Sequence, residues 1–144
     1  GTQNVAGIVA LSVALAATDR ERASEVVRLG ELRDTMLKRL TTQLDGVHAT
    51  VSRERTVAGI AHLCIDGIEN EALLYLLDEA GICASAASAC AAGAMEPSHV
   101  LAAMGVDRSR ALGALRLSLG RTTTAADIDR GVEAVVAAVE QLRR

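Results

Sequence analysis

Val57-Ala58-Gly59-Ile60-Ala61-His62-Leu63-Cys64-Ile65 breaks the rhythm of the chain. The run is apolar and partly β-branched, it follows a polar turn at 52–56, and Gly67 closes it, so it predicts a buried strand where a helix-only chain would continue its period. That one strand makes the fold mixed.

Upstream, residues 4–44 read as two helices or one bent helix. Apolar residues crowd positions 5–17, and Val26, Val27, Leu29, Leu32, Met36, Leu37 and Leu40 then recur at helical spacing among charges. Thr18 or Asp19 is the expected N-cap of the second helix, with Arg22 and Glu25 on its outer face. Residues 47–51 form a short β-like segment between these helices and the polar turn.

Downstream, residues 69–80 read as a helix with acidic residues in its first turn, and Gly81 stops it. Residues 82–84 suggest another short strand. Pro97, the sole proline, opens a helix over 98–104 as a first-turn residue. Leu115-Arg116-Leu117-Ser118-Leu119 alternates apolar and polar, a half-buried strand with Arg116 and Ser118 on one face. The last helix spans about 124–142, entered through a Thr124 to Asp127 capping box. The sum is a single α+β domain over 1–144, a small and mainly antiparallel sheet packed with helices.

Composition narrows the function. The 144 residues are 50% apolar, yet Tyr75 is the only aromatic residue, so the core must be built from Leu, Val, Ile and Ala. A net charge of -3 with both signs interleaved excludes a nucleic-acid or anionic-membrane surface. The longest apolar run, at 5–17, is too short to span a bilayer and lacks the basic flank of a secretory signal. Cysteines at 64, 83 and 90, odd in number, fit reduced thiols, and with His48, His62 and His99 they make no metal spacing, so no metal is expected. Cytoplasm is the expected compartment.

The stretch with chemical content is Ala84-Ser85-Ala86-Ala87-Ser88-Ala89-Cys90-Ala91-Ala92-Gly93-Ala94-Met95-Glu96. Its side chains are too small to fill a core, and a nucleophilic sulfur stands in its middle. A thiol attacks as thiolate, which a positive charge, a helix N-terminus or a base must stabilise. From 84 to 98 there is no Lys, Arg or His, and Glu96 opposes ionisation, so activation of Cys90 has to come largely from outside the segment.

Ser88-Ala89-Cys90, then Gly93, then Glu96-Pro97-Ser98-His99-Val100-Leu101 and Met104-Gly105 resemble the active-cysteine loop of the cysteine desulfurases that feed iron–sulfur cluster assembly, members of the class-V aminotransferase family. Leu115-Arg116-Leu117-Ser118-Leu119-Gly120-Arg121, with Thr122-Thr123 and Asp127-Ile128-Asp129, is similar to the segment that follows that loop. Gly1-Thr2-Gln3-Asn4 with Gly7-Ile8 resembles the point where the family's large domain hands over to its small one. The likeness covers essentially the whole chain.

The resemblance implies the small domain of a fold-type I pyridoxal-phosphate enzyme, with residues 1–18 as the linker helix from a large domain and 84–96 as the moving loop. It implies that Cys90 takes sulfur from L-cysteine as a persulfide, releasing L-alanine. It further implies that Arg116 holds the substrate carboxylate, and that Thr2 donates to the phosphate of pyridoxal 5′-phosphate across a homodimer. The implied partners are iron–sulfur scaffold or other sulfur-acceptor proteins. The family's Schiff-base lysine has no counterpart, since Lys38, the only lysine, lies in a charged helical stretch. The chain is therefore expected to be inactive without a large domain; a free-standing sulfur-carrier or docking domain is the alternative. Two further departures are Ala86-Ala87, where the family usually has Ser-Gly, and Ala91-Ala92, where a Ser or Thr follows the cysteine. Alanine narrows the accessible backbone angles.

Overall fold

A computed structural model describes residues 1–86 and 98–144. The chain opens with one continuous helix, α1 (Val5–Gln43), capped by the Asn4 side chain, which accepts from the Gly7 amide at 3.0 Å. The expected cap at Thr18 or Asp19 is not there. Neither Pro nor Gly occurs from residue 8 to residue 29, and the Thr18 hydroxyl donates back to the Ala14 carbonyl at 2.9 Å, as it does inside a helix. The buried stripe also starts later than the spacing predicted: Gly30, Arg33, Met36 and Leu40 are buried, whereas Val26 and Val27 are exposed.

Among the described residues three strands follow: β1 (Val47–Ala49), β2 (Ile60–Ile65) and β3 (Ala114–Ser118), in the order β1-β2-β3 and antiparallel throughout. Between β2 and β3 lie α2 (Asn70–Glu79), α3 (His99–Ala103) and α4 (Arg108–Ala111), and α5 (Ala125–Leu142) ends the fold. The α+β expectation holds. The four-residue α4 had no prediction, being too short to leave a period. β2 begins at Ile60 because the chain before it is still turning, with the Ile60 amide bonded to the Val57 carbonyl at 3.3 Å. The strand expected at 82–84 is absent for a similar reason. Gly81 sits at φ 74° and the Ile82 amide closes α2 on the Leu77 carbonyl, so the chain reaches β3 only at Ser85.

The sheet has two unlike faces. Ala61, Leu63 and Ile65 of β2 with Leu115 and Leu117 of β3 face α1, α2 and α5, where Met36, Leu40, Leu73, Leu77, Ile128, Val132, Val135 and Val139 complete the main core. On the opposite face a smaller cluster forms from Cys64, Ala114, Leu101 of α3 and Ala111 of α4. Among the described residues no helix is long and apolar enough to cross a membrane.

Arginines of α1 tie the layers. Arg33, only 3% exposed, is paired with Asp34 at 2.6 Å and donates to the Val57 carbonyl at 3.2 Å, so its buried charge is compensated while it pins the turn before β2. Arg28 donates to the carbonyls of Thr123 at 2.6 Å and Arg121 at 2.9 Å, holding the turn after β3.

The capping box of α5 forms as read, with the Asp127 amide donating to Thr124 Oγ1 at 3.2 Å and the Thr124 amide to Asp127 Oδ2 at 2.9 Å. The Thr124 hydroxyl, its amide and then Arg130 lower the Asp127 pKa from 3.8 to about 2. A depressed acid stabilises the fold above its unfolded pKa and loses that contribution as pH falls through the folded one. Asp127→Asn is therefore expected to lower the denaturation midpoint at pH 6, with the gap to the parent closing between pH 4 and pH 2. A second prediction concerns Gly113, whose carbonyl accepts from the Ile65 amide at 2.9 Å. A Cβ there would overlap the Ile65 backbone, whereas at Gly120 it meets open space. Gly113→Ala should cost ~1–3 kcal/mol or more in urea unfolding, and Gly120→Ala should stay within about 0.5 kcal/mol of the parent.

Candidate functional site

The smaller face of the sheet carries the polar residues. Directly opposed residues of an antiparallel pair point to the same side, so the register Thr50–His62, Cys64–Ala114 and His62–Arg116 gathers Thr50, His62, Cys64 and Arg116 on one surface. α3 and α4 cover the Cys64 and Ala114 end through Leu101 and Ala111. Among the described residues the other end is left uncovered. There a cavity is lined by Thr50, Val51, His62, Ser98, Val100, Leu101, Met104 and Arg116.

Arg116 is held from both sides through its backbone. It pairs with His62 across β2, and on its other flank its amide donates to the Ser85 carbonyl at 2.7 Å while the Ser85 amide donates to its carbonyl at 3.1 Å. Its side chain is half-buried in the cavity, and among the described residues it has no ion-pair or side-chain hydrogen-bond partner. By contrast, Arg28, Arg33, Arg39, Arg110 and Arg130 all meet carboxylates. A partly desolvated guanidinium with no carboxylate beside it among the described residues has the chemistry to receive an anion, and its planar fork suits a carboxylate.

Beside it, Thr50 Oγ1 lies 2.6 Å from His62 Nδ1 and 3.9 Å from Cys64 Sγ. Burial, followed by the Arg116 charge, holds the His62 pKa below its ordinary value, so the imidazole is neutral at pH 7. Burial pushes the Cys64 thiol up, keeping it protonated.

Of the expected site residues, Arg116 lies in the cavity, on the polar face the alternation predicted. Thr2 is exposed ahead of α1 and does not line the cavity. Cys90, with the rest of 87–97 including Pro97, lies outside the described residues. The chain on either side of that segment is described: Ser85 is bonded to Arg116, and Ser98 lines its cavity. Lys38 is exposed on α1, a helix that packs through Met36 and Leu40 onto the main core, the side of the sheet away from Arg116. Sequence reading missed Thr50 and His62 as members of the site. Alternation along β2 puts His62 on the Cys64 side of its neighbours, but only the strand register brings it opposite Arg116.

Of the two described cysteines, Cys83 is exposed and Cys64 buried. Under native conditions iodoacetamide is expected to label Cys83 and spare Cys64 until denaturant is added, as peptide mass mapping would record. Native labelling of Cys64 would contradict its place under Leu101.

Comparison with known proteins adds the lineage. The aminotransferase class-V family model matches residues 1–130. An IscS-like cysteine desulfurase of Mycobacterium tuberculosis is 43% identical over 147 residues, covering 100% of this chain and 37% of the relative. A cysteine desulfurase of Gluconacetobacter diazotrophicus is 38% identical over 143 residues, covering 99% of this chain and 36% of the relative. Among solved structures, a NifS-like protein superposes with a TM-score of 0.83 at 28% identity, covering 98% of this chain and 35% of that one. The chain thus spans little more than a third of the length of the curated relatives it matches.

Proposed function

The chain belongs to the class-V aminotransferase family, and from that premise we propose that it is the cysteine-bearing, carboxylate-binding part of a cysteine desulfurase. In this reading Arg116 binds the carboxylate of L-cysteine and Cys90 takes its sulfur. L-alanine is released, and the persulfide supplies iron–sulfur cluster or thio-cofactor assembly. The observation that carries it is the placement of Arg116. A guanidinium with no carboxylate partner among the described residues lines a cavity together with Ser98, and its backbone is bonded to Ser85, so both approaches to the Cys90 segment meet the proposed anion site. The cysteine desulfurases among its relatives support the same reading.

Residues 1–18 are then the linker helix from a large domain, and 84–96 the loop that brings Cys90 to the substrate. The exposed apolar side chains of Val5, Ile8, Val9, Leu11, Val13 and Leu15 support a covering partner for that helix. The working enzyme is a cytoplasmic homodimer, with scaffold or acceptor proteins receiving the sulfur.

The family implies pyridoxal 5′-phosphate, and the residues present fit its substrate side. Arg116 fits the carboxylate and Thr2, exposed ahead of α1, fits the phosphate of the other subunit's site. They do not supply the Schiff-base amine, because Lys38 is on the far side of the sheet. That amine belongs to the large domain in this reading. When bound, the cofactor supplies an electron sink at the substrate carbon. The task of Cys90 is to attack the substrate sulfur as thiolate, forming the S–S bond as the C–S bond breaks; the bonding pair leaves with carbon, where a proton then completes L-alanine. With no cationic residue between 84 and 98, that thiolate draws its stabilisation from groups elsewhere in the site.

In the full-length protein that contains this chain, Cys90→Ala is expected to abolish alanine and sulfide formation from L-cysteine while leaving the cofactor's visible absorbance. Arg116→Gln should raise the KM for L-cysteine by about ten- to a hundred-fold, the worth of a hydrogen-bonded charge pair of ~1.5–3 kcal/mol. Sulfur release that survives Cys90→Ala would sink the assignment.

A further inference from the structure

The carboxylate site has a second polar group that the family reading does not assign. His62 faces Arg116 across the β2–β3 ladder, on the same side of the sheet and in the same cavity. Directly opposed residues in such a ladder have Cβ atoms about 4.5–5.5 Å apart, so one small anion can touch both side chains.

Its protonation pattern follows from its neighbours. The Thr50 hydroxyl has one proton and two acceptors beside it, His62 Nδ1 at 2.6 Å and Cys64 Sγ at 3.9 Å. An imidazole nitrogen is the stronger acceptor, so the hydroxyl donates to Nδ1, and its lone pairs receive the weak donation of the protonated Cys64 thiol. A neutral imidazole that accepts at Nδ1 carries its proton on Nε2. Among the described residues nothing accepts from Nε2, just as nothing pairs with the Arg116 side chain. Two donors without acceptors thus share one cavity wall.

We propose that His62, seated by Thr50, is the second donor of this pocket, its Nε2–H bonding the same amino-acid carboxylate that Arg116 binds. The inference rests on the desulfurase reading only for the class of ligand, an α-amino acid. A carboxylate offers about four lone-pair sites, and a bidentate arginine occupies two of them. A neutral donor fills a third without setting another cation beside Arg116. A carboxamide loses its charge and one acceptor oxygen and presents an N–H₂ group to one of the two donors. The pair therefore selects carboxylate over amide.

The test is titration calorimetry on the full-length, cofactor-loaded protein with L-alanine and L-alaninamide, read as the ratio of their dissociation constants. His62→Leu is expected to reduce the preference for alanine about ten-fold. His62→Gln, whose amide nitrogen reaches about as far as Nε2, should restore most of it. His62→Asn, whose shorter side chain reaches only as far as Nδ1, should not. A preference unchanged in His62→Leu overturns the proposal. Full rescue by His62→Asn does so too, because it makes the Thr50 bond the whole of the residue's role. Arg116→Gln separates the two readings. If the preference falls in Arg116→Gln but stands in His62→Leu, the His62 inference alone fails; if Arg116→Gln leaves it intact, the carboxylate reading fails and takes His62 with it.

Discussion

The pairing of β2 with β3 sets Leu63 opposite Leu115 and, one residue along, His62 opposite Arg116. Side chains alternate strictly along a strand, so a slip of one residue in β3 would turn Arg116 into the apolar layer and lift both Leu115 and Leu117 out of it, and a slip in β2 would exchange His62 for Leu63 in the same way. Burying an unpaired guanidinium there costs far more than any contact it could gain. The main core therefore fixes the site: Leu115 and Leu117, together with Ala61, Leu63 and Ile65, lock the register, and the same lock points Arg116 into the cavity. Gly113 belongs to this constraint, since only a residue without Cβ lets the backbone approach Ile65 closely enough to start the ladder.

The core lacks aromatic side chains and gains its specificity elsewhere. Aliphatic residues alone bury less area each and define fewer distinct packings. Directional ties offset this. Arg33 joins α1 to the turn before β2 through the Val57 carbonyl, and Arg28 joins it to the turn after β3 through Thr123 and Arg121. Arg143, at the other end of α5, donates to the carbonyls of Asp45 and Asp66, which flank β1 and β2. The ends of the strands are thus held by guanidinium groups on the helices. The apolar side chains between them need only fill space.

Features written in neighbouring residues were legible in advance. Thr124 and Asp127 announced the start of α5, Gly81 the end of α2, and Leu115 to Leu119 the face on which Arg116 stands. Features that depend on distant partners were not. Thr18 looks like a cap in isolation but lies within α1, because no residue near it breaks the helix. The 82–84 stretch has strand-like residues, yet the chain is spent closing α2 until Ser85. His62 stands in the sequence as one residue of an apolar strand with no metal spacing; only the register brings it opposite Arg116, more than fifty positions away along the chain. Half of the site was therefore readable, the half whose chemistry a single side chain carries.

The same contrast explains how recognition and reactivity divide along this chain. The Arg116 backbone is bonded to β2 on one flank and to Ser85 on the other, and the His62 ring is seated by Thr50, so the cavity wall that carries both residues is set by the fold. A ring seated in this way costs little reorganisation when charge arrives. The residues from 84 to 96 have the opposite composition, small side chains with neither cation nor ring, and can contribute a sulfur but not the field that ionises it. A nucleophile with so little local support gains its reactivity only on meeting a charged, oriented partner. Under the desulfurase reading the sheet supplies that orientation: a substrate whose carboxylate is bound at Arg116 has its sulfur placed relative to Ser85 and Ser98, the described residues on either side of the Cys90 segment.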